Sequence, residues 1–392
     1  MSSWKTIKCS WSATNKTEIL LSRWCAHWRR QLKMSSKTAS IASFQRRLTA
    51  FQTQLKLGEA ALISKPNDIF YFTLFPQLAP NEREAFLLVS AKQTTLFHHS
   101  FSPTLPKTNS LTSVPKTDLT VVGNAINDLK VKQLLIDEDT LSVREYFHLK
   151  KLVSCSIKPL NPQWVWRQRT IKDAAELALM KQAGKIATTV FKQIIEELQS
   201  GVTERQVARR IATLLMEHGA DEPAFPIIVA FGPHGALPHY QPTENKLKPE
   251  TPVLIDFGAR YQHYLSDMTR SFWFGKKPSA RFQQVEHIVK TAYQKTLDQL
   301  ATRPLTAKNL DDTARQYITK QGFGDQFIHT TGHGLGIEIH EPPSLSWQNN
   351  AVIQPGTTIT IEPGIYLPGE FGYRHENTIV INPKSITILT EL

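Results

Sequence analysis

The chain has 392 residues, 41% apolar and 20% charged, with a formal net charge of +12. That length suits two domains, or one with extensions, and is enough to bury a sizeable core. No apolar run reaches the roughly 18 residues that cross a bilayer, so an integral membrane protein is not expected. The charge is unevenly placed. Residues 1–37 carry Lys5, Lys8, Lys16, Arg23, Arg29, Arg30, Lys33 and Lys37 against Glu18 alone, so +7 of the +12 belongs to that end. Basicity gathered in one extension argues against nucleic acid as a partner of the globular part. Three cysteines (Cys9, Cys25, Cys155) form no CxxC pair and no disulfide framework, which fits a reducing, cytoplasmic setting.

Residues 1–37 lack the apolar stretch of a secretory signal, because Ile19-Leu20-Leu21 is too short. Two readings stay open for them: an organelle-targeting segment, or an extension upstream of a true start at Met34, which is preferred. From Ser40 the pattern turns globular. Phe44, Leu48, Phe51 and Leu55 recur at helical spacing, with Gly58 expected to close that helix. Strands are expected at 60–64, 68–75, 85–90, 119–122 and 134–136, and a helix over 143–153. This α/β domain, 38–162, shows no Gly-rich phosphate loop; its expected roles are oligomer contacts or one wall of a site. The Pro-Leu-Asn-Pro run at 159–162 reads as a linker.

The remainder, 163–392, opens with a long amphipathic helix from Leu177 to Leu198, stopped by Gly201. Thr203 and Gln206 have capping-box spacing and start a second helix that runs to about Gly219. Strands are expected at 225–231, 253–257 and 264–274. The order then recurs: helices around Phe282–Leu297 and Leu310–Ile318, the latter ended by Gly322, then strands at 327–330, 357–366 and 373–381. Helix, helix, strands occurs twice, which hints at an internal duplication.

Each half ends with acids set among β-forming residues: Asp256 and Asp267 in the first, Glu362 and Glu376 in the second. Surface hairpin acids would be the plainer reading if nothing else converged on them. If the four converge, they bring four negative charges that a partly buried cleft cannot hold without cations. Two divalent ions would balance them. His333, in Thr-Gly-His-Gly-Leu-Gly, adds one imidazole between glycines that let backbone and metal come close. One nitrogen among many oxygens favours Mn, Co, Fe or Zn in hydrolytic use. His239 (Ala-Leu-Pro-His-Tyr-Gln-Pro-Thr), His329 and His340 (Ile-Glu-Ile-His-Glu-Pro-Pro) are candidates for proton transfer or hydrogen bonding to substrate. His340-Glu341 is not a zincin motif, because Pro342 and Pro343 break the helix it needs. No G-x-S-x-G element is present and no cysteine sits in a nucleophile context.

These residues, in this order, resemble the pita-bread metallopeptidases over about 166–390, in the aminopeptidase P and prolidase branch. The preceding segment, with Pro66-Asn-Asp-Ile-Phe-Tyr-Phe72, is similar to the creatinase-type N-terminal domain. The resemblance implies an α+β chain: a pita-bread catalytic domain with a pseudo-twofold repeat, behind a smaller α/β creatinase-like domain. It implies two divalent ions, Mn first with Co or Zn as alternatives, held by Asp256, Asp267, His333, Glu362 and Glu376. Glu362 would also shuttle protons, Arg374 would lie beside the bridging Glu376, and His239, His340 and, less securely, His329 would face substrate. The implied reaction is attack by a metal-bridging hydroxide on the carbonyl before proline, on proline-containing peptides. A homodimer or higher homo-oligomer is expected, without membrane or nucleic-acid partners. His375 replaces the aliphatic residue usual between that Arg and Glu, and should point away from the cleft. A methionine aminopeptidase, a metal-free creatinase and a non-catalytic pita-bread binding module are the competing readings.

Overall fold

Two short apolar runs set the first sheet. Ala60-Ala61-Leu62-Ile63 and Ala85 to Val89 are buried at every position, which a strand allows only when both faces of its sheet are covered. In the computed structural model, which describes residues 41–76, 82–102, 110–300 and 305–392, both faces are covered by helices. The expectations for residues 1–37 lie outside the described residues.

The N-terminal part runs α1 (Ile41–Gln52), β1 (Glu59–Ile63), α2 (Pro66–Thr73), β2 (Ala85–Ser90), β3 (Thr94–His98), β4 (Thr112–Val114), α3 (Leu119–Asp128), β5 (Gln133–Ile136), α4 (Val143–Leu152), β6 (Ser156–Pro159) and α5 (Gln163–Thr170). Its sheet is ordered β4-β3-β2-β1-β5-β6, antiparallel at β1–β2 and β2–β3 and parallel elsewhere. Ala61 and Ile63 face the cluster that holds Phe44, Leu48, Phe51 and Phe72. Ala60 and Leu62 face Val122, Ile126 and Leu149 on the other side. Each fully buried Leu or Phe contributes about 1.5–3 kcal/mol, so the alternation fixes the register.

Four expectations need correction here. Residues 68–75 are not a strand: Pro66 at the first helical turn, Asp68 near the N-terminus and Leu74 in the left-handed region at the end make α2. Residues 119–122 begin a helix, because Asp118 caps it through Thr120 N–H. Gly58 does not close α1, which ends at Gln52; it turns the chain (φ 87°) into β1. Residues 327–330 form no strand; the backbone joins a sheet only at Gly332.

The C-terminal part runs α6 (Ala174–Glu197), α7 (Glu204–Glu217), β7 (Glu222–Pro223), β8 (Ile228–Phe231), β9 (Thr251–Phe257), β10 (Ala259–Tyr261), β11 (Tyr264–Leu265), β12 (Met268–Phe274), α8 (Ala280–Gln299), α9 (Ala307–Lys320), β13 (Gly332–Gly334), β14 (Glu341–Leu345), β15 (Thr358–Ile361), β16 (Gly364–Leu367), β17 (Phe371–Arg374), β18 (Asn377–Ile381) and β19 (Ile386–Ile388). The capping box of Thr203 and Gln206 is present. Helices α6 and α7 pack on the sheet β12-β9-β8, and α8 and α9 on the strands of the second half, including β14-β13-β15-β18-β19. The helix-pair-and-sheet unit therefore occurs twice. One core cluster joins the two parts of the chain, with Phe44 and Phe72 packed in the same cluster as Met180, Tyr264 and Leu335.

Candidate metal centre

The two halves meet where their strands stop. Asp256 lies within β9. Three of the other acids stand just off strand ends: Asp267 before β12, Glu362 after β15 and Glu376 before β18. The expected strands 264–274, 357–366 and 373–381 are each interrupted at these acids. Pro363 supplies no N–H to continue β15, and the Asp267 N–H donates to Thr378 Oγ1 (3.0 Å) instead of a ladder carbonyl. The Thr378 hydroxyl donates back to Asp267 O (2.8 Å), and Glu376 N–H donates to Thr269 O (3.2 Å). These cross-links hold the acids of one half against those of the other.

All five expected ligand residues line one cavity of about 830 Å³, together with His239, His329, His340 and Arg374. Asp267, His333 and Glu376 present ligand atoms within 4.8 Å of one another. His333 Nε2 stands 3.6 Å from Asp267 Oδ2 and 3.4 Å from Glu362 Oε1. Its Nδ1–H donates to Gly334 O (3.0 Å), which leaves the Nε2 lone pair facing the acids. The flanking glycines are required by close approach. A Cβ on Gly332 would collide with the Thr360 carbonyl and one on Gly334 with the Pro342 carbonyl.

Electrostatics set the chemistry of the centre. Burial, then mutual repulsion, pushes the carboxyls of Asp267 and Glu376 well above the usual carboxylate range, and burial raises that of Glu362. Burial lowers His333, His329 and His340 from the ordinary imidazole value. Arg374 Nη2 donates to Asp256 Oδ2 (2.5 Å), and Thr269 Oγ1 donates to Glu376 Oε2 (2.5 Å). Asp256 Oδ1 and Asp267 Oδ1 are buried without any hydrogen-bond donor. Buried carboxylate oxygens without donors, on acids that share the cavity with an imidazole nitrogen, are what a divalent cation needs, so this residue set fits metal.

A model of metallopeptidase family M24 matches residues 178–383, which is more than half of the sequence. The chain belongs to that family. The peptidase also matches the creatinase/prolidase N-terminal domain over residues 47–171. It is 33% identical over 334 residues to the Xaa-Pro dipeptidase of Pyrococcus furiosus, covering 85% of this chain and 93% of that one. Among solved structures, the Xaa-Pro dipeptidase from Bacillus anthracis superposes with a TM-score of 0.82 at 28% identity, covering 89% of this chain and 98% of that one. The X-Pro aminopeptidase of Thermotoga maritima gives 0.77 at 30% identity, covering 87% and 97%. The fold is that of the pita-bread prolidases, behind a creatinase-type domain, and the peptidase is a metallo-exopeptidase.

Several supporting residues of the peptidase escape a sequence reading. Tyr366 OH accepts from Arg374 Nη1 (2.6 Å) and donates to His329 Nε2 (2.8 Å), while His329 Nδ1–H donates to Thr330 O (2.7 Å). Glu204, fully buried, accepts from Phe231 N–H, Thr243 N–H, Tyr240 OH and Asn245 Nδ2 within 2.8–3.2 Å, and so holds the loop that carries His239. Only its place beside a cap, Thr203, marks it in sequence, and that reads as an ordinary helix start. His375 does not line the cavity; its ring lies edge-on against Tyr293 at 4.7 Å, and burial lowers it to about 3.

Proposed function

We propose that this peptidase releases an N-terminal residue from proline, as a dinuclear-metal Xaa-Pro aminopeptidase or dipeptidase. The observation that carries the reading is the convergence of Asp256, Asp267, His333, Glu362 and Glu376 on one cleft, with one buried oxygen of each aspartate left without a donor. Two divalent ions held by Asp256, Asp267, His333, Glu362 and Glu376 would supply a water of lowered pKa and polarise the scissile carbonyl. Manganese is the proposed ion, with Co or Zn as alternatives, because oxygens outnumber nitrogens in the donor set.

The protein's own part is positioning and proton transfer. Arg374 holds Asp256 by one oxygen and leaves the other free to bind. His239 and His340 both line the cavity, where their N–H groups can orient the peptide and stabilise negative charge on its carbonyl. Glu362, whose carboxyl burial raises, would give a proton to the departing proline nitrogen. That nitrogen belongs to a tertiary amide and leaves only when protonated. Phe225, Ile228, Ile339 and Pro343 give the cavity apolar surface suited to a pyrrolidine ring. Relatives named Xaa-Pro dipeptidase and X-Pro aminopeptidase support the proline reading.

Incubation of metal-loaded protein with matched Xaa-Pro-Yaa and Xaa-Ala-Yaa peptides tests the reading. Cleavage confined to the proline series is expected; equal cleavage of both would contradict it. A cytoplasmic homo-oligomer completes the proposal, to be checked by sedimentation and by fractionation of the source cells. No observation favours the non-catalytic binding module.

A further inference from the structure

One wall of the cleft is the turn from Gly336 to Glu341, which brings Ile339 and His340 to the cavity. The turn is closed on a buried carboxylate. Glu341 Oε1 accepts from the backbone N–H groups of Ile337 (2.9 Å) and Glu338 (3.1 Å). Two cations meet that carboxylate, Arg169 Nη2 at 2.5 Å and Lys172 Nζ at 3.2 Å. Arg169 is 1% exposed and reaches further, to Glu338 (2.6 Å) and to Asp68 (2.7 Å) on helix α2 of the N-terminal part. Lys65 closes on Glu338 (2.9 Å), and the Trp166 ring carries the Arg169 guanidinium at 4.5 Å.

Three cations thus face three carboxylates in one buried cluster, and none of the six belongs to the metal centre. Charges this buried are tolerated only as a matched set, so α2, α5 and the turn are fixed relative to one another. The metal-facing acids hang on separate elements, β9, β12, β15 and β18, with their own cross-links. The cluster reaches the cleft through Glu341, which closes the wall that carries His340 and also pairs with Gly334 of β13; the His340 ring centroid lies 4.5 Å from that of His333.

We propose that Arg169 is a positioning residue: acting through Glu341, it sets His340 over the metal centre and couples its place to the N-terminal domain. This rests on the reading that His340 faces substrate. A displacement of about 1 Å at such a group can cost on the order of 100-fold in rate, whereas the four acids of the metal centre stand on elements whose cross-links do not involve the cluster.

The experiment uses the full chain as wild type, Arg169→Lys, Arg169→Met, Asp68→Asn, His340→Ala and the double variant Asp68→Asn/His340→Ala. Amide hydrogen exchange of residues 336–341 is followed by mass spectrometry, alongside kcat and KM on an Xaa-Pro-Yaa peptide and bound metal. Loss of Arg169 is expected to speed exchange in 336–341, with β9 and β15 unchanged and bound metal affected less than kcat. The kcat should fall at least about ten-fold with little change in KM, and Arg169→Lys should restore part of it. Asp68→Asn should act in the same direction, and should add nothing in the His340→Ala background. If Arg169→Met does not fold, Arg169→Lys and Asp68→Asn decide. Unchanged exchange at 336–341 in both, or penalties that add in the double variant, would overturn the proposal. The exchange arm needs no turnover, so a wild type that ignores proline peptides would sink the proposed activity while this arm still judges Arg169.

Discussion

Asp256 is held on one side by Arg374 and bare on the other, and that asymmetry recurs among the residues around it. Thr269, Thr360 and Thr378 each spend a hydroxyl on an acid or its backbone, so the carboxylates are oriented before any cation arrives. Oriented acids cost little to reorganise on binding, which is the basis of tight and selective sites. The acids themselves were legible, because a carboxylate among β-branched residues is conspicuous. Their supports were not, since Thr in a strand and Tyr366 in an apolar run match ordinary β propensity. Glu204 shows the consequence. Glu204→Gln replaces a carboxylate oxygen by NH₂, which cannot accept from Thr243 and Tyr240. A loss of about 1–3 kcal/mol in denaturant unfolding is expected, together with a raised KM for proline peptides because the His239 loop loosens. Unchanged KM would separate that loop from substrate binding.

At the level of elements, the paired helices of the C-terminal part were readable from period and caps, as at Thr203 and Gln206. The errors fell where short apolar runs carry no period. Ile69-Phe70-Tyr71-Phe72 suits a strand by composition, and only Pro66 and Asp68, placed at a helix start, decide otherwise. The long strands expected across Asp267, Glu362 and Glu376 break at those residues, where Pro363 lacks an N–H and the Asp267 N–H turns to Thr378 Oγ1. Gly334 has a similar positional meaning. Gly334→Ala would drive a Cβ into the Pro342 carbonyl, pushing β13 from β14 and shifting His333. Loss of metal affinity by about ten- to a hundred-fold is expected in a calorimetric titration, and an unaltered affinity would show that the strands have slack.

Across the whole molecule, the buried cluster that joins the two parts makes stability depend on pH. Burial raises Glu341, but Lys172 and Arg169 outweigh it and hold the carboxyl at about 2, below its unfolded value of 4.5. A depressed acid stabilises the fold above the unfolded pKa and loses that contribution as pH falls through the folded one. The window is therefore about pH 4.5 to 2, and the contribution is on the order of 3 kcal/mol. Asp68 has the opposite sign: burial pushes it up to about 6, so its ionised form is disfavoured in the fold and its protonation below that value is stabilising. In chelator-treated protein the raised acids Asp68, Asp267 and Glu376 should add stability as pH falls toward about 4.5, and the Glu341 contribution should be lost below that. In Glu341→Gln the loss over the same window should be shallower in urea titrations at stepped pH.

The central claim is that four acids from distant parts of the chain are made compatible by cations, and calorimetric titration of EDTA-treated protein with MnCl₂ tests it most directly. Run in buffers of different ionisation heat, it should give about two ions bound per chain. Protons should be released as each ion displaces those that burial and repulsion keep on Asp267 and Glu376. Binding of no ion, or binding with no proton release, would contradict it.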